Sequence, residues 1–326
     1  MTMGDIRKEK QLLPVLKDVD VVIHCAALVD LRQDADEAEM RSVNIDGTQT
    51  VIDAVVESNV KALIFISGAD VTVGSTPVYY GSENTTLIPK DYILGAYSRT
   101  KYEAELKVLE ANGRKLPNGK FFLSKFIGFN FYFFNFVCFS GEKLRTVALR
   151  PNLFYGEEDS NFVTKILAIA KHNGGVLRKI DNVFIRIQPA YVGNVAWSCL
   201  KTKEKLLLDS SISGEQFFIT DDTKIMDPFE FLEPFVVAKG MKLSNWAYPY
   251  WAFMLVFMLL SCLSRLFRPV YQIKFAPWLT TKTVRYLCNT YFFNRTKATL
   301  RLEYEPLYEH EESFNRSIQY YKKISI

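Results

Sequence analysis

The sequence predicts an α/β protein built on a doubly wound parallel sheet, and three observations predict it. Three short runs, Asp18 to Leu28 (DVDVVIHCAAL), Lys61 to Ser67 (KALIFIS) and Leu144 to Arg150 (LRTVALR), have the near-continuous apolar character of strands buried on both faces. Helix-period segments separate them. The alternation of strand and helix implies right-handed crossovers, which place helices on both faces of the sheet. Ligands of such sheets sit beyond the carboxyl ends of the strands, here His24 to Ala27, Ser67 to Ala69 and Pro151 to Tyr155.

The elements follow in order. Arg7 to Lys17 is polar and helix-like and precedes the first strand. Asp36 to Val60 reads as one helix, with Met40, Val43, Val51, Ala54 and Val55 on roughly one side. After the second strand, Gly68 to Ile93 is a loop rich in Gly, Ser, Thr and Pro. It leads into a helix opening with Tyr97-Ser98-Arg99-Thr100-Lys101. Positions four apart share a helix face, so the Tyr97 phenol and the Lys101 ammonium point into the same space. An isolated Tyr has a pKa of about 10. A nearby cation favours the phenolate, so proton exchange with a substrate oxygen becomes feasible near neutral pH. A bare YxxxK pattern is common, and its weight comes from what surrounds it.

Composition narrows the function classes. The 326 residues suffice for one large domain or two. A formal charge of +4 with no long basic run gives no support to nucleic-acid binding. Five scattered Cys and three His argue against a metal site and against a disulfide framework. Met1 to Lys10 is polar and lacks the apolar stretch of a signal peptide.

A series of motifs then carries a resemblance. It runs Gly4-Asp5-Ile6-Arg7, His24-Cys25-Ala26-Ala27, Val43-Asn44-Ile45-Asp46-Gly47-Thr48, Tyr97 to Lys101, and Arg150-Pro151 with Tyr155-Gly156. Tyr191-Val192-Gly193-Asn194-Val195-Ala196-Trp197, Phe218-Ile219-Thr220-Asp221-Asp222, and Lys297-Ala298 with Tyr304-Glu305-Pro306 complete it. In this order the chain resembles the 3β-hydroxysteroid dehydrogenase/isomerase family of extended short-chain dehydrogenases/reductases, over almost its whole length. The resemblance implies a Rossmann-type sheet and NAD or NADP as cofactor. Asp5 and Ile6 would border the adenine, and Ala26 and Ala27 would line the phosphate–ribose path. Asn44 would lie near the active-site end. Tyr97 would be the general acid/base, Lys101 would lower its pKa and hold the nicotinamide ribose, and Pro151 would flank the nicotinamide.

Three departures from the family pattern stand out. No GxxGxxG turn occurs in the sequence, and Gly4-Asp5-Ile6 matches the end of the family's third strand. The expectation is therefore a Rossmann domain lacking its first βαβ unit, with an exposed sheet edge, from a shortened gene product or from a protein that lost cofactor binding. Lys120 to Gly141 (KFFLSKFIGFNFYFFNFVCFSG) holds nine of the twenty-five Phe. Its ends permit splice-junction codons, and its removal joins Gly119 to Glu142 in frame. It reads as intron-derived, with a membrane-dipping insertion as the other reading. Gly68 occupies the position of the family's catalytic Ser. Ser67 beside it is the candidate replacement, although neighbouring strand residues point to opposite faces, and Thr72 or Ser75 is a further option.

Residues 1–156 are thus expected to form the partial NAD(P)-binding domain and 157–326 a smaller α+β substrate domain. Asn161 to Lys171 reads as an amphipathic helix. Leu243 to Ser264 is uncharged over twenty-two residues and reads as a membrane-associated helix, with Trp246, Tyr248, Tyr250 and Trp251 as an interfacial belt. The function expected is hydride transfer between NAD(P) and a steroid or sterol-like alcohol or ketone, at an endoplasmic-reticulum membrane (cytosolic face) or a mitochondrial one. A homodimer is left open. The alternatives are another extended reductase, such as a sterol 4-carboxylate dehydrogenase, and a noncatalytic membrane-associated relative.

Overall fold

The computed structural model describes residues 3–32, 34–117, 120–124, 136–140, 142–181, 185–267 and 280–326. The chain enters through a short helix α1 (Glu9–Leu12) and a 3-10 turn at Leu13–Val15. Pro14 ends the predicted Arg7 to Lys17 helix early, because proline has no N–H to continue the ladder. Strand β1 (Val21–His24) follows. The segment expected to be one helix is three pieces: α2 (Glu37–Arg41), a π-helical turn at Ser42–Asp46, and α3 (Gly47–Glu57). Asp36 starts α2 by accepting the Glu39 amide at 3.0 Å. Strand β2 (Ala62–Ile66) comes next.

The predicted loop after β2 contains a 3-10 turn (Ala69–Thr72) and strand β3 (Val78–Gly81). Helix α4 (Ala96–Glu110) carries Tyr97 and Lys101. Within the phenylalanine-rich run, β4 (Lys120–Ser124) and β5 (Phe136–Ser140) form a separate antiparallel pair. The rest of that run lies outside the described residues. Strand β6 (Arg145–Pro151) returns to the main sheet.

The remaining strands are β7 (Phe154–Tyr155), β8 (Val176–Asp181), β9 (Ala190–Tyr191), β10 (Glu215–Ile219), β11 (Lys242–Pro249) and β12 (Tyr291–Phe293). The helices among them are α5 (Val163–His172), α6 (Val192–Leu208), α7 (Pro228–Ala238), α8 (Tyr250–Phe267), α9 (Thr281–Leu287), α10 (Thr296–Leu302) and α11 (His310–Lys323).

The main sheet is β1-β2-β6-β10, parallel throughout, with β1 and β10 as outer strands. Alternate residues of β2 serve opposite cores, as a two-residue strand period requires. Leu63 and Phe65 pack with Ile52, Val55, Ala104 and Val108 from α3 and α4. Ala62 and Ile64 pack with Leu206, Phe217 and Leu302 on the other face. All of these are essentially inaccessible, which is why the strand reads as an unbroken apolar run. On β1, Ile23 is exposed.

One expectation is overturned in the C-terminal half. Leu243 to Pro249 is not helical: it belongs to β11, which pairs in parallel with β8 through a register shift between Leu243 and Ala247. The apolar composition is common to both structures, and the partner strand decides between them. The helix begins only at Tyr250. Among the described residues, no helix is long and apolar enough to cross a membrane.

Candidate active site

Three chain segments converge at the carboxyl ends of β1, β2 and β6. Gly95, at φ +65°, turns the chain into α4, a conformation that side chains rarely adopt. Tyr97 follows two residues later. One turn on, Lys101 is buried, and its Nζ donates to the Ile66 carbonyl at 2.7 Å and lies 4.1 Å from the centre of the Phe65 ring. Burial lowers the Lys101 pKa to about 8, against the raising effect of Asp70, Glu105 and Cys25. The Tyr97 phenol is shifted the other way from the sequence expectation: burial, then the Asp70 carboxyl, holds it well above the usual tyrosine range. Lys101 is turned toward the end of β2 in this geometry.

Asn44 explains the break in its helix. Its Oδ1 accepts the Leu28 amide at 2.7 Å, while Nδ2 donates to the Leu28 carbonyl at 3.1 Å and to Thr100 Oγ1 at 3.0 Å. One buried side chain therefore clamps the loop after β1 to the Tyr97 helix. The π-helical turn gives it that position, and such bulges recur at functional sites. His24, at the end of β1, bonds Thr48 through Nε2 at 2.9 Å, and burial, then the Lys101 charge, lowers its pKa to about 3.

Ser67, Gly68, Asp70, Tyr97, Pro151 and Asn152 line a cavity of about 530 Å³ together with apolar side chains such as Leu94, Phe162 and Ile166. That volume lies within the ~300–1,000 Å³ typical of small-molecule sites. The Ser67 hydroxyl is buried and has no hydrogen-bond partner among the described residues. Thr72 and Ser75 do not line the cavity: the Thr72 hydroxyl donates to the Ala69 carbonyl at 2.8 Å, and Ser75 accepts from Arg285 at 3.0 Å. Behind the site, Glu105 and Arg150 form an ion pair with side chains 0% and 6% exposed.

The other candidates lie apart from the cavity. Asp5 is bound to Arg7, with Oδ2 to Nη2 at 2.8 Å, and Ile6 sits against Gly47 at the start of α3. Ala26 is exposed and Ala27 partly so, just past β1. Asp70, which the sequence reading passed over, lines the cavity, and its carboxyl acts on the Tyr97 phenol. Its signal in the sequence is a single carboxylate in the otherwise uncharged stretch Ser67 to Tyr80.

The pattern of the 3-beta hydroxysteroid dehydrogenase/isomerase family matches residues 1–125 and 135–250, skipping 126–134 inside the phenylalanine-rich run. The chain is 30% identical over 324 residues to 3 beta-hydroxysteroid dehydrogenase type 7 of Mus musculus, covering 97% of this chain and 80% of that protein. It is 26% identical over 306 residues to short-chain dehydrogenase/reductase family 42E member 1 of Xenopus laevis, covering 93% and 72%. Among solved structures, MoeE5 in complex with UDP-glucuronic acid and NAD superposes with a TM-score of 0.63 at 17% identity, over 98% of this chain and 84% of that one. RMD from Pseudomonas aeruginosa complexed with NADPH gives 0.60 at 14%, over 99% and 88%. The fold is thus that of extended short-chain dehydrogenases/reductases, and the chain belongs to the 3-beta hydroxysteroid dehydrogenase/isomerase family.

Proposed function

We propose that this protein transfers hydride between NAD or NADP and the 3-hydroxy or 3-keto group of a steroid or sterol-like substrate. The observation that supports the reading is the Tyr97–Lys101 pair set beside an apolar cavity at the carboxyl ends of β2 and β6. The nicotinamide supplies or accepts the hydride when bound. The residues present suit the nicotinamide end of a dinucleotide: the Ser67 hydroxyl is unpartnered among the described residues, Lys101 stands at the end of β2, and Pro151 borders the cavity. Asp5, Ile6, Ala26 and Ala27 are assigned to the adenine and phosphate path by the family pattern alone.

Tyr97 holds its proton in this site, which is the form that donates to the oxygen of a ketone during reduction. In the oxidation direction the phenol must first lose that proton, and the Lys101 ammonium is the cation four residues away that can favour the loss. Asn44 fixes the loop after β1 against α4, which holds the two sides of the site in register.

Access from a membrane fits a lipophilic substrate. Helix α8 packs Tyr250, Phe253 and Met254 against Ile185, Val284 and Cys288, and turns Trp251, Leu255, Val256, Met258 and Leu259 outward. We read it as lying on an endoplasmic-reticulum or mitochondrial membrane. A noncatalytic relative is the second reading, favoured by Gly68 at the serine position.

Incubating the protein with a 3β-hydroxysteroid and either NAD or NADP, and following the nicotinamide absorbance, tests the proposal. Turnover of the steroid but not of a UDP-sugar supports it. Ketone binding with no turnover supports the noncatalytic reading instead.

A further inference from the structure

Gly68 has no conformational reason to be glycine. Its φ of −163° and ψ of 150° are extended values that any residue adopts. The constraint is space, because a Cβ on Gly68 would overlap Asp70 Oδ1. The Asp70 carboxyl therefore fills the room in which a serine side chain would stand. The 3-10 turn at Ala69–Thr72 brings it back there. Ser98, the neighbour of Tyr97, donates to Asp70 Oδ2 at 2.6 Å, which leaves Oδ1 on the Gly68 side. Asp70 and Tyr97 both line the cavity.

We propose that Asp70, in its acid form, takes over the task of the absent serine and donates a hydrogen bond to the substrate carbonyl oxygen beside Tyr97. This rests on the reading of the site given above. No covalent bond changes at Asp70; the proton delivered to the substrate comes from Tyr97. The groups acting on the carboxyl are consistent with the acid form. Burial raises its pKa most and Glu105 raises it further, while the Ser98 hydroxyl, the Lys101 ammonium and its own amide oppose them. The phenols of Tyr97, Tyr286 and Tyr291 also face it and are themselves held above their usual range.

The test is difference infrared spectroscopy of progesterone labelled with carbon-13 at its 3-keto carbon, bound to the full chain. The labelled C=O stretch is expected to move to lower frequency on binding. Asp70→Ala should lose most of that displacement, and the exchange variant Gly68→Ser/Asp70→Ala should recover it. Thermal unfolding of Gly68→Ser alone should show a lowered Tm that the second substitution restores. A stretch unmoved by Asp70→Ala, or lost in Ser67→Ala instead, overturns the inference while leaving the steroid reading intact. If Asp70→Ala does not fold, the exchange variant still decides, since a missing displacement there overturns it. No bound ketone in the wild type overturns both.

Discussion

Lys101 Nζ donates to the carbonyl oxygen of Ile66, tying the Tyr97 helix to the last residue of β2 across 2.7 Å. The ammonium is buried where burial lowers its pKa to about 8 from 10.5. Between those two values the unfolded chain binds more protons than the folded one, so stability attributable to Lys101 rises with pH from about 8 to 10.5. Lys101→Met should remove that rise while changing stability at pH 7 by only about 1 kcal/mol, since a buried charge and one net hydrogen bond are lost together. Urea unfolding of both proteins across that window measures it.

His24 behaves in the acid range. Its folded pKa of about 3 lies below the ordinary 6.5, so the unfolded state takes up the proton first and stability falls as pH drops through 6.5 toward 3. The loss at pH 5 should be about 2 kcal/mol relative to neutral pH. His24→Gln should flatten the stability profile between pH 6.5 and 5.

Arg150 and Glu105 form a buried pair in which either charge left without the other is destabilising. Arg150→Met leaves the Glu105 carboxylate with its side chain 0% exposed and without its partner, and should cost about 3–5 kcal/mol in urea unfolding. The double substitution Arg150→Met/Glu105→Leu should recover most of that loss, because an apolar pair of similar volume needs no desolvation of charge.

The chain leaves and returns at one place around the phenylalanine-rich run. The Leu116 amide donates to the Glu142 carbonyl at 2.9 Å, and Leu144 donates to Arg114 at 2.9 Å. Removing 120–141 leaves Pro117-Asn118-Gly119 to join these paired segments. A short loop containing glycine is a common hairpin connection. The deletion protein should fold with an unchanged or higher Tm and aggregate less, checked by calorimetry and light scattering. Transcript reads joining Gly119 to Glu142 would accompany this if the run is intron-derived.

The strands at Ala62–Ile66 and Arg145–Pro151 were readable in the sequence because both faces of each are buried, whereas Val21–His24 was readable from its apolar run although Ile23 is exposed. Strand β11 was not, since an uncharged run suits strand and helix alike and only pairing with β8 decides. The π-helical turn depends on Asn44 reaching Leu28 and Thr100, contacts 16 and 56 residues away in the chain. Asp70 escaped notice for a similar reason. Its meaning lies in the space above Gly68, and a sequence does not display space.

In the proposed reaction Tyr97 transfers a proton in step with hydride transfer at a steroid carbon. The most direct measurement follows deuterium from C3 of a 3β-hydroxysteroid onto the nicotinamide of added NAD or NADP, in wild type and in Tyr97→Phe. Label is expected on the nicotinamide with the wild type, and at a rate at least about 10²-fold lower with Tyr97→Phe, the lower end of a general acid/base contribution. Transfer by Tyr97→Phe at the wild-type rate, or no transfer by either, would contradict the proposed reaction.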